Sequence, residues 1–148
     1  MTQRAPDLVT GSRSDAIELR LMARAENLAL VRLALSGIAT DAGAPEEVVA
    51  DLKLVVTEAC TNAIQHAYRD GDGADEIVVR YTLGEGALSI DVEDTGCGFS
   101  AEDPPLHEPN GDGPGNGLGL MIIRELTDAS EVETGPTGTR ISFTRRIS

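Results

Sequence analysis

The spacing of the apolar residues changes along the chain, and the order of those changes restricts the fold more than any single motif. Ile17, Leu19 and Leu21 alternate with Glu18 and Arg20, as in a half-buried strand. From Glu26 the period lengthens: Leu28, Val31, Leu35 and Ile38 recur at three- and four-residue steps, which predicts an amphipathic helix ending near Gly43. Pro45 suits the first position of a second helix, and Glu46 and Glu47 complement the positive end of its dipole. That helix is expected to run to about Tyr68, ahead of the turn cluster Asp70-Gly71-Asp72-Gly73. Alternation then returns in Ile77, Val79, Tyr81 and Leu83 and, after Gly84-Glu85-Gly86, in Leu88, Ile90 and Val92, the pattern of a hairpin. A third helix is expected over Leu118 to Ala129, and Val132, the turn Gly135-Pro136-Thr137-Gly138, Ile141 and Phe143 make a closing hairpin. Together these periods predict an α+β fold, a two-layer sandwich in which a mixed, largely antiparallel sheet is covered on one face by three helices.

A length of 148 residues suits one domain, expected over 15–148 after a flexible, polar N-terminal tail over 1–14. Aromatics are only 3% and Trp is absent, so the core must be built from Ala, Val, Leu and Ile. No run approaches the roughly 20 apolar residues of a membrane span, and no apolar signal block opens the chain, so a cytoplasmic protein without membrane contact is expected. The net charge of −13 repels nucleic acid unless cations cluster. They do not: between Arg80 and Arg124 there is no basic residue, and direct nucleic-acid binding is not expected. Cys60 and Cys97 fit reduced thiols better than a disulfide scaffold, and with His66 and His107 they form no zinc spacing.

Three segments carry chemistry. On the second helix, Glu58, Asn62 and His66 stand at i, i+4 and i+8, a stripe bordering the apolar face of Leu52, Val55, Ala59 and Ala63. Asn offers a carbonyl oxygen to a hard cation, and Glu can accept a proton. The second is Asp94-Thr95-Gly96-Cys97-Gly98, directly after a strand. Its two glycines let the backbone approach a ligand, and its aspartate can read an amino group. The third, Gly115-Asn116-Gly117-Leu118-Gly119-Leu120, opens the third helix, where exposed N–H groups and the dipole favour an anion. It is neither a dinucleotide fingerprint nor a Walker A loop. Between the second and third motifs, Phe99 to Asn116 is rich in Pro, Gly, Asp and Asn, a long loop of the kind that forms functional lids or stays disordered.

In order and placement the three motifs resemble the ATP-binding superfamily of gyrase and the histidine kinases, the Bergerat fold. The resemblance covers about Ile17 to Ile147. It implies ATP and Mg²⁺ as cofactors, with Asn62 as the Mg²⁺ ligand and Asp94 on the adenine amino group. Gly96 and Gly98 belong to the adenine motif, and Gly115, Gly117, Leu118 and Gly119 to the phosphate-closing segment. His66 lies in the helix motif, and Thr139 corresponds to a Thr that assists adenine binding. The run Glu58-Ala59-Cys60-Thr61-Asn62-Ala63-Ile64-Gln65-His66-Ala67-Tyr68 on a stand-alone domain looks like the bacterial anti-sigma factor serine-protein kinases. That resemblance implies a regulator of transcription in stress response or sporulation. Such a protein sequesters a sigma factor and phosphorylates a serine on an anti-sigma antagonist, with Glu58 as catalytic base. Arg32 aligns with a partner-binding arginine. Apart from the resemblance, the first strand offers a sheet edge at which two copies can pair, so a homodimer is expected.

One departure bears on the chemistry. Phe99–Gly119 contains no basic residue and carries Asp103, Glu108 and Asp112, whereas phosphoryl transfer relies on positive charge at the transferring group. This acidic segment keeps an alternative beside the kinase, an ATP-gated partner-binding regulator without phosphotransfer; a second alternative is a switch kinase acting on a phosphatase pathway instead of binding a sigma factor.

Overall fold

The computed structural model describes residues 15–70, 76–94, 118–135 and 138–147. The N-terminal tail, the turn after Asp70, most of the second and third glycine motifs and the loop between them lie outside the described residues.

Strand β1 (Asp15–Met22) leads through a 3₁₀ turn (Ala25–Asn27) into helix α1 (Leu28–Asp41), then α2 (Glu46–Asp70), β2 (Glu76–Gly84), β3 (Ala87–Asp94), α3 (Leu118–Leu126), β4 (Ala129–Gly135) and β5 (Gly138–Arg146). The expected elements are present, with boundaries set by local bonding. The first helix becomes α-helical at Leu28 rather than Glu26, because Asn27 turns back, its N–H to the Arg24 carbonyl and its Nδ2 to the Met22 carbonyl at 2.7 Å. Pro45 stands just before α2 rather than at its first position, and its carbonyl accepts from Val48 and Val49, both at 3.0 Å, to start the helix. The third helix stops at Leu126, short of the expected Ala129. The Thr127 hydroxyl donates to the Ile123 carbonyl at 2.6 Å, the Asp128 N–H donates to the Thr144 carbonyl, and Ala129 is already paired with Thr144 in β4.

The sheet has five strands in the order β1-β2-β3-β5-β4. Each of the four described pairings is antiparallel. The mixed character expected from the sequence is present only as direction. The α3 crossover returns the chain parallel to β3, but β5 lies between β3 and β4 and runs against both, so the parallel strands never pair.

Alternation sorts the strands into two faces. Ile77, Val79 and Tyr81 of β2, Leu88, Ile90 and Val92 of β3, and Ile141 and Phe143 of β5 are buried under the helices. The opposite face carries charges: Arg80 meets Glu18 at 2.6 Å and Arg140 meets Asp91 at 3.4 Å, on exposed or half-buried side chains. Helix α2 is the central helix, packed on β3 and flanked by α1 and α3. Its buried face (Leu52, Val55, Val56, Ala59, Cys60 and Ala63) is small and aliphatic, as a composition without Trp requires. One bond ties α1 to the sheet: the buried Tyr81 hydroxyl donates to the Val31 carbonyl at 2.8 Å, and burial raises the pKa of that phenol. Cys60 is a buried free thiol whose pKa burial pushes up to about 12, so it serves packing rather than nucleophilic chemistry.

Candidate functional site

Among the described residues, the buried polar or charged side chains are Asn62, 9% exposed, and Asp94, 2% exposed. Each belongs to one of the chemistry-bearing motifs of the sequence. Burying an amide and a carboxylate costs free energy unless each finds partners, so their placement asks for a reason.

Asp94 is the last residue of β3 and shares the helix-facing side with Leu88, Ile90 and Val92. The β3–β5 register pairs Glu93 with Arg140, so one further step brings Asp94 level with Thr139. Thr139 lies on the same side as Ile141 and Phe143 and is half-buried. The adenine-type pair expected from the sequence therefore sits at adjacent strand ends under the helical layer. Asp94 and Thr139 each interact with a neighbour already, but a carboxylate has about four acceptor positions, which leaves capacity for a ligand amino group.

Asn62 and Glu58 come from α2, one turn apart. The Asn62 amide makes no hydrogen bond among the described residues, although it is buried. Glu58 is half-buried and leans on the start of α3: a Cβ placed on Gly119 would stand 2.8 Å from Glu58 Oε1. Gly119 is itself buried, so the absence of its side chain is what lets α3 begin beside the Glu58 carboxylate. The structure thus brings one residue of the third motif against one residue of the first. The side chains of His66 and Leu118, and all of Gly96, Gly98, Gly115 and Gly117, lie outside the described residues.

The donor set fits a cation that arrives with its ligand. Among the described residues no three His, Cys, Asp or Glu side chains gather as a metal cage. The Asn62 amide, without a hydrogen bond among the described residues, would offer a single hard oxygen, the kind of contact Mg²⁺ takes when phosphates and waters fill the rest of its shell.

Arg32, expected to meet a partner, is half-buried on α1, and its Nη1 lies 3.5 Å from the Thr57 hydroxyl of α2. Thr57 in turn donates to the Lys53 carbonyl at 2.7 Å. The guanidinium is thus steered along the α1–α2 seam.

Sequence reasoning missed Arg145. From β5 its Nη1 donates to Asp51 Oδ2 of α2 at 3.1 Å and to the Leu126 carbonyl, the last of α3, at 2.7 Å. A cation on the negative end of a helix is favourable, and here one group fixes α3 to both α2 and the sheet. The alternation of β5 puts Arg145 on the helix-facing side, where a charge needs a partner; that was the available signal.

Comparisons with known proteins establish the family. The histidine kinase-like ATPase domain family matches residues 21–145. A serine-protein kinase RsbW of Bacillus pumilus is 37% identical over 143 residues, which cover 90% of this chain and 87% of that protein. The RsbW of a Bacillus licheniformis strain is 36% identical, with 91% and 88% covered. This chain belongs to the RsbW family of serine-protein kinases. Among solved structures, the RsbU and RsbW domains of a Mycobacterium tuberculosis protein superpose with a TM-score of 0.67 at 22% identity, over 90% of this chain and 32% of that one. The histidine kinase domain of a blue-light activated kinase from Erythrobacter litoralis gives a TM-score of 0.56 at 26% identity, over 86% of this chain and 61% of that one. The α+β sandwich read from the apolar periods is the fold of this family.

Proposed function

We propose that this RsbW-family chain is a protein-serine kinase that binds Mg²⁺-ATP between α2 and the ends of β3 and β5. In this reading it phosphorylates a serine of an anti-sigma antagonist and sequesters a sigma factor when that antagonist is disarmed. The observation that carries the nucleotide site is the pair of buried polar side chains, Asn62 and Asp94, in a core whose other described members are aliphatic residues, Cys60, Phe143 and Tyr81.

Each residue has a separate task. Asp94 accepts from the adenine amino group, with Thr139 beside it. Asn62 offers its amide oxygen to the cation, and Gly96, Gly98, Gly115, Gly117 and Gly119 let backbone approach the nucleotide, with Leu118 in the same closing segment and His66 continuing the α2 stripe. When bound there with ATP, Mg²⁺ would supply positive charge to the transferring phosphoryl group. Glu58 takes the proton from the serine hydroxyl as its oxygen bonds to the γ-phosphorus and the bond to the leaving ADP oxygen breaks. Arg32 contributes to the partner surface.

A second reading, an ATP-gated regulator without transfer, is favoured by one feature: Phe99–Gly119 has no basic residue to stabilise the transferring group. A calorimetric titration with ATP and Mg²⁺, followed by transfer of labelled phosphate to a serine-bearing antagonist, separates the two. Binding with transfer supports the kinase, binding without transfer to several antagonists supports the regulator, and no binding overturns both.

A further inference from the structure

The arginines of the sheet, Arg20, Arg80, Arg140 and Arg145, each meet a carboxylate. Arg32 on α1 does not. Among the described residues its polar contact is a neutral group, the Thr57 hydroxyl of α2, with Nη1 and Oγ1 3.5 Å apart. Its charge is left uncompensated there, and most of its N–H donors stay open.

The contact can run in one sense only. A threonine hydroxyl has a single proton, and Thr57 gives it to the Lys53 carbonyl one turn back along α2, at 2.7 Å. That bond sets the rotor and leaves only lone pairs for α1, where the guanidinium has only donors. The distance is at the long end for an N–H···O bond, so the hydroxyl limits where the guanidinium sits more than it grips it. The backbone beneath Arg32 is fixed separately. The buried Tyr81 hydroxyl donates to the carbonyl of Val31, the preceding residue, at 2.8 Å and ties this turn of α1 to β2. The freedom that remains to Arg32 is in its side chain, and Thr57 is placed to restrict it.

Thr57 also precedes Glu58, which is turned about 100° around the same helix. A Cβ on Gly119 of α3 would meet Glu58 Oε1 at 2.8 Å. One turn of α2 therefore meets α1 through Thr57 and α3 through Glu58.

We propose that Thr57 is a positioning residue for partner docking: its hydroxyl holds the Arg32 guanidinium at the α1–α2 seam, at a set place relative to Glu58. This rests on the reading above in which Arg32 meets the antagonist and Glu58 takes the serine proton. A guanidinium without that acceptor has to be ordered when the partner arrives, and the cost appears as weaker binding.

Thr57→Val tests it, because it keeps the branched shape and removes the acceptor, while the Lys53 carbonyl keeps its helical backbone partner. Affinity for the serine-bearing antagonist of the transfer assay is read by calorimetry, with Mg²⁺ and a non-hydrolysable ATP analogue so that no phosphate moves. Thr57→Val should weaken antagonist binding about three- to tenfold and leave affinity for the analogue unchanged. Thr57→Ala, with its better helix propensity, should do the same, and Thr57→Ser, which keeps the hydroxyl, should restore binding to within about twofold of wild type. In an Arg32→Ala background, itself weakened, Thr57→Val should add less than about 1.5-fold, since the residue acts through Arg32. Without any partner, the order parameter of the Arg32 Nε–H should fall in Thr57→Val. An equal loss in both backgrounds, an unchanged Arg32 order parameter, or wild-type affinity in Thr57→Val beside a weakened Arg32→Ala would each overturn the positioning role and leave the kinase reading intact. Wild-type affinity in Arg32→Ala would instead remove Arg32 from the partner surface, and this inference with it.

Discussion

The two helices that wall the site are held unequally. Helix α2 has 25 residues, and Leu52, Val55, Val56, Ala59 and Cys60 within it are fully buried. Helix α3 has nine residues and buries Ile123, while Met121 is 55% exposed. The first is fixed mainly by area; the second packs Ile123, Leu120 and Leu126 on the core and is tied at its far end by Arg145. Apolar burial is worth about 25 cal/mol per Å², so the shorter helix with its smaller apolar face resists displacement less and depends more on its tether. The groups proposed to read the base and place the cation, Asp94 and Asn62, stand on β3 and α2, and Gly119 of the proposed phosphate-side motif stands on α3. In that reading recognition falls to the more firmly packed elements and adjustment to the shorter helix.

The largest expected effect tests the chemistry of the more firmly packed wall. Glu58→Gln keeps size and hydrogen bonding but removes basicity, and general-base losses run to about 10²–10⁴-fold. Phosphorylation of the antagonist should fall by that factor while ATP affinity, read by calorimetry, stays within about threefold. An unchanged rate would remove Glu58 from the reaction.

Next is recognition on the same wall. Asp94→Asn replaces the charged acceptor at the end of β3 by an amide, and a hydrogen bond to a charged group is worth about 1.5–3 kcal/mol. ATP affinity should drop roughly 10- to 100-fold with an unchanged circular dichroism spectrum. Affinity equal to wild type would show that the adenine lies elsewhere.

Gly119→Ala acts where the walls touch. The added methyl would stand 2.8 Å from Glu58 Oε1, the far end of a flexible side chain, so the carboxylate swings away instead of the fold breaking. Thermal stability should change little, ATP affinity modestly, and the transfer rate should fall about tenfold, because a base displaced by an ångström loses its alignment. A variant that loses stability but transfers phosphate normally would place Glu58 outside the reaction geometry.

These tests also mark where sequence reading stops. Periods of two and three to four residues were enough to find all eight regular elements, and to bound β1, α1, α2, β2 and β3 within two residues, because burial on one face writes itself into spacing. The stripe at Glu58 and Asn62 was legible for the same reason, and Asp94 by its place after a strand and before two glycines. What was not legible depends on contacts between distant residues. The end of α3 is set by Thr127 bonding back to Ile123 and by Asp128 joining Thr144, and no local signal forces that exit before Ala129. The insertion of β5 between β3 and β4 leaves the hairpin pattern unchanged. The meeting of Glu58 with Gly119 and the bridge from Arg145 to Asp51 join residues far apart in the chain, and spacing carries no information about either.

The smallest expected effect concerns the tether itself. Arg145 is half-buried, so removing it exposes Asp51 and the last α3 carbonyl to water instead of stranding them, and the cost is that of two charge-assisted bonds partly replaced by hydration. Arg145→Ala should lower stability by about 1–2 kcal/mol, a fall of roughly 3–6 °C in Tm for a domain of this size. If tethering is what positions α3, ATP should then bind about two- to fivefold more weakly through a faster dissociation rate, because an unanchored helix costs more entropy to order over the phosphates. Arg145→Lys, which keeps the charge but loses the fork geometry, should recover part of both effects. Stability lost with an unaltered ATP dissociation rate would mean that α3 is held by its apolar face alone, and the contrast between the two walls would then be one of length rather than of attachment.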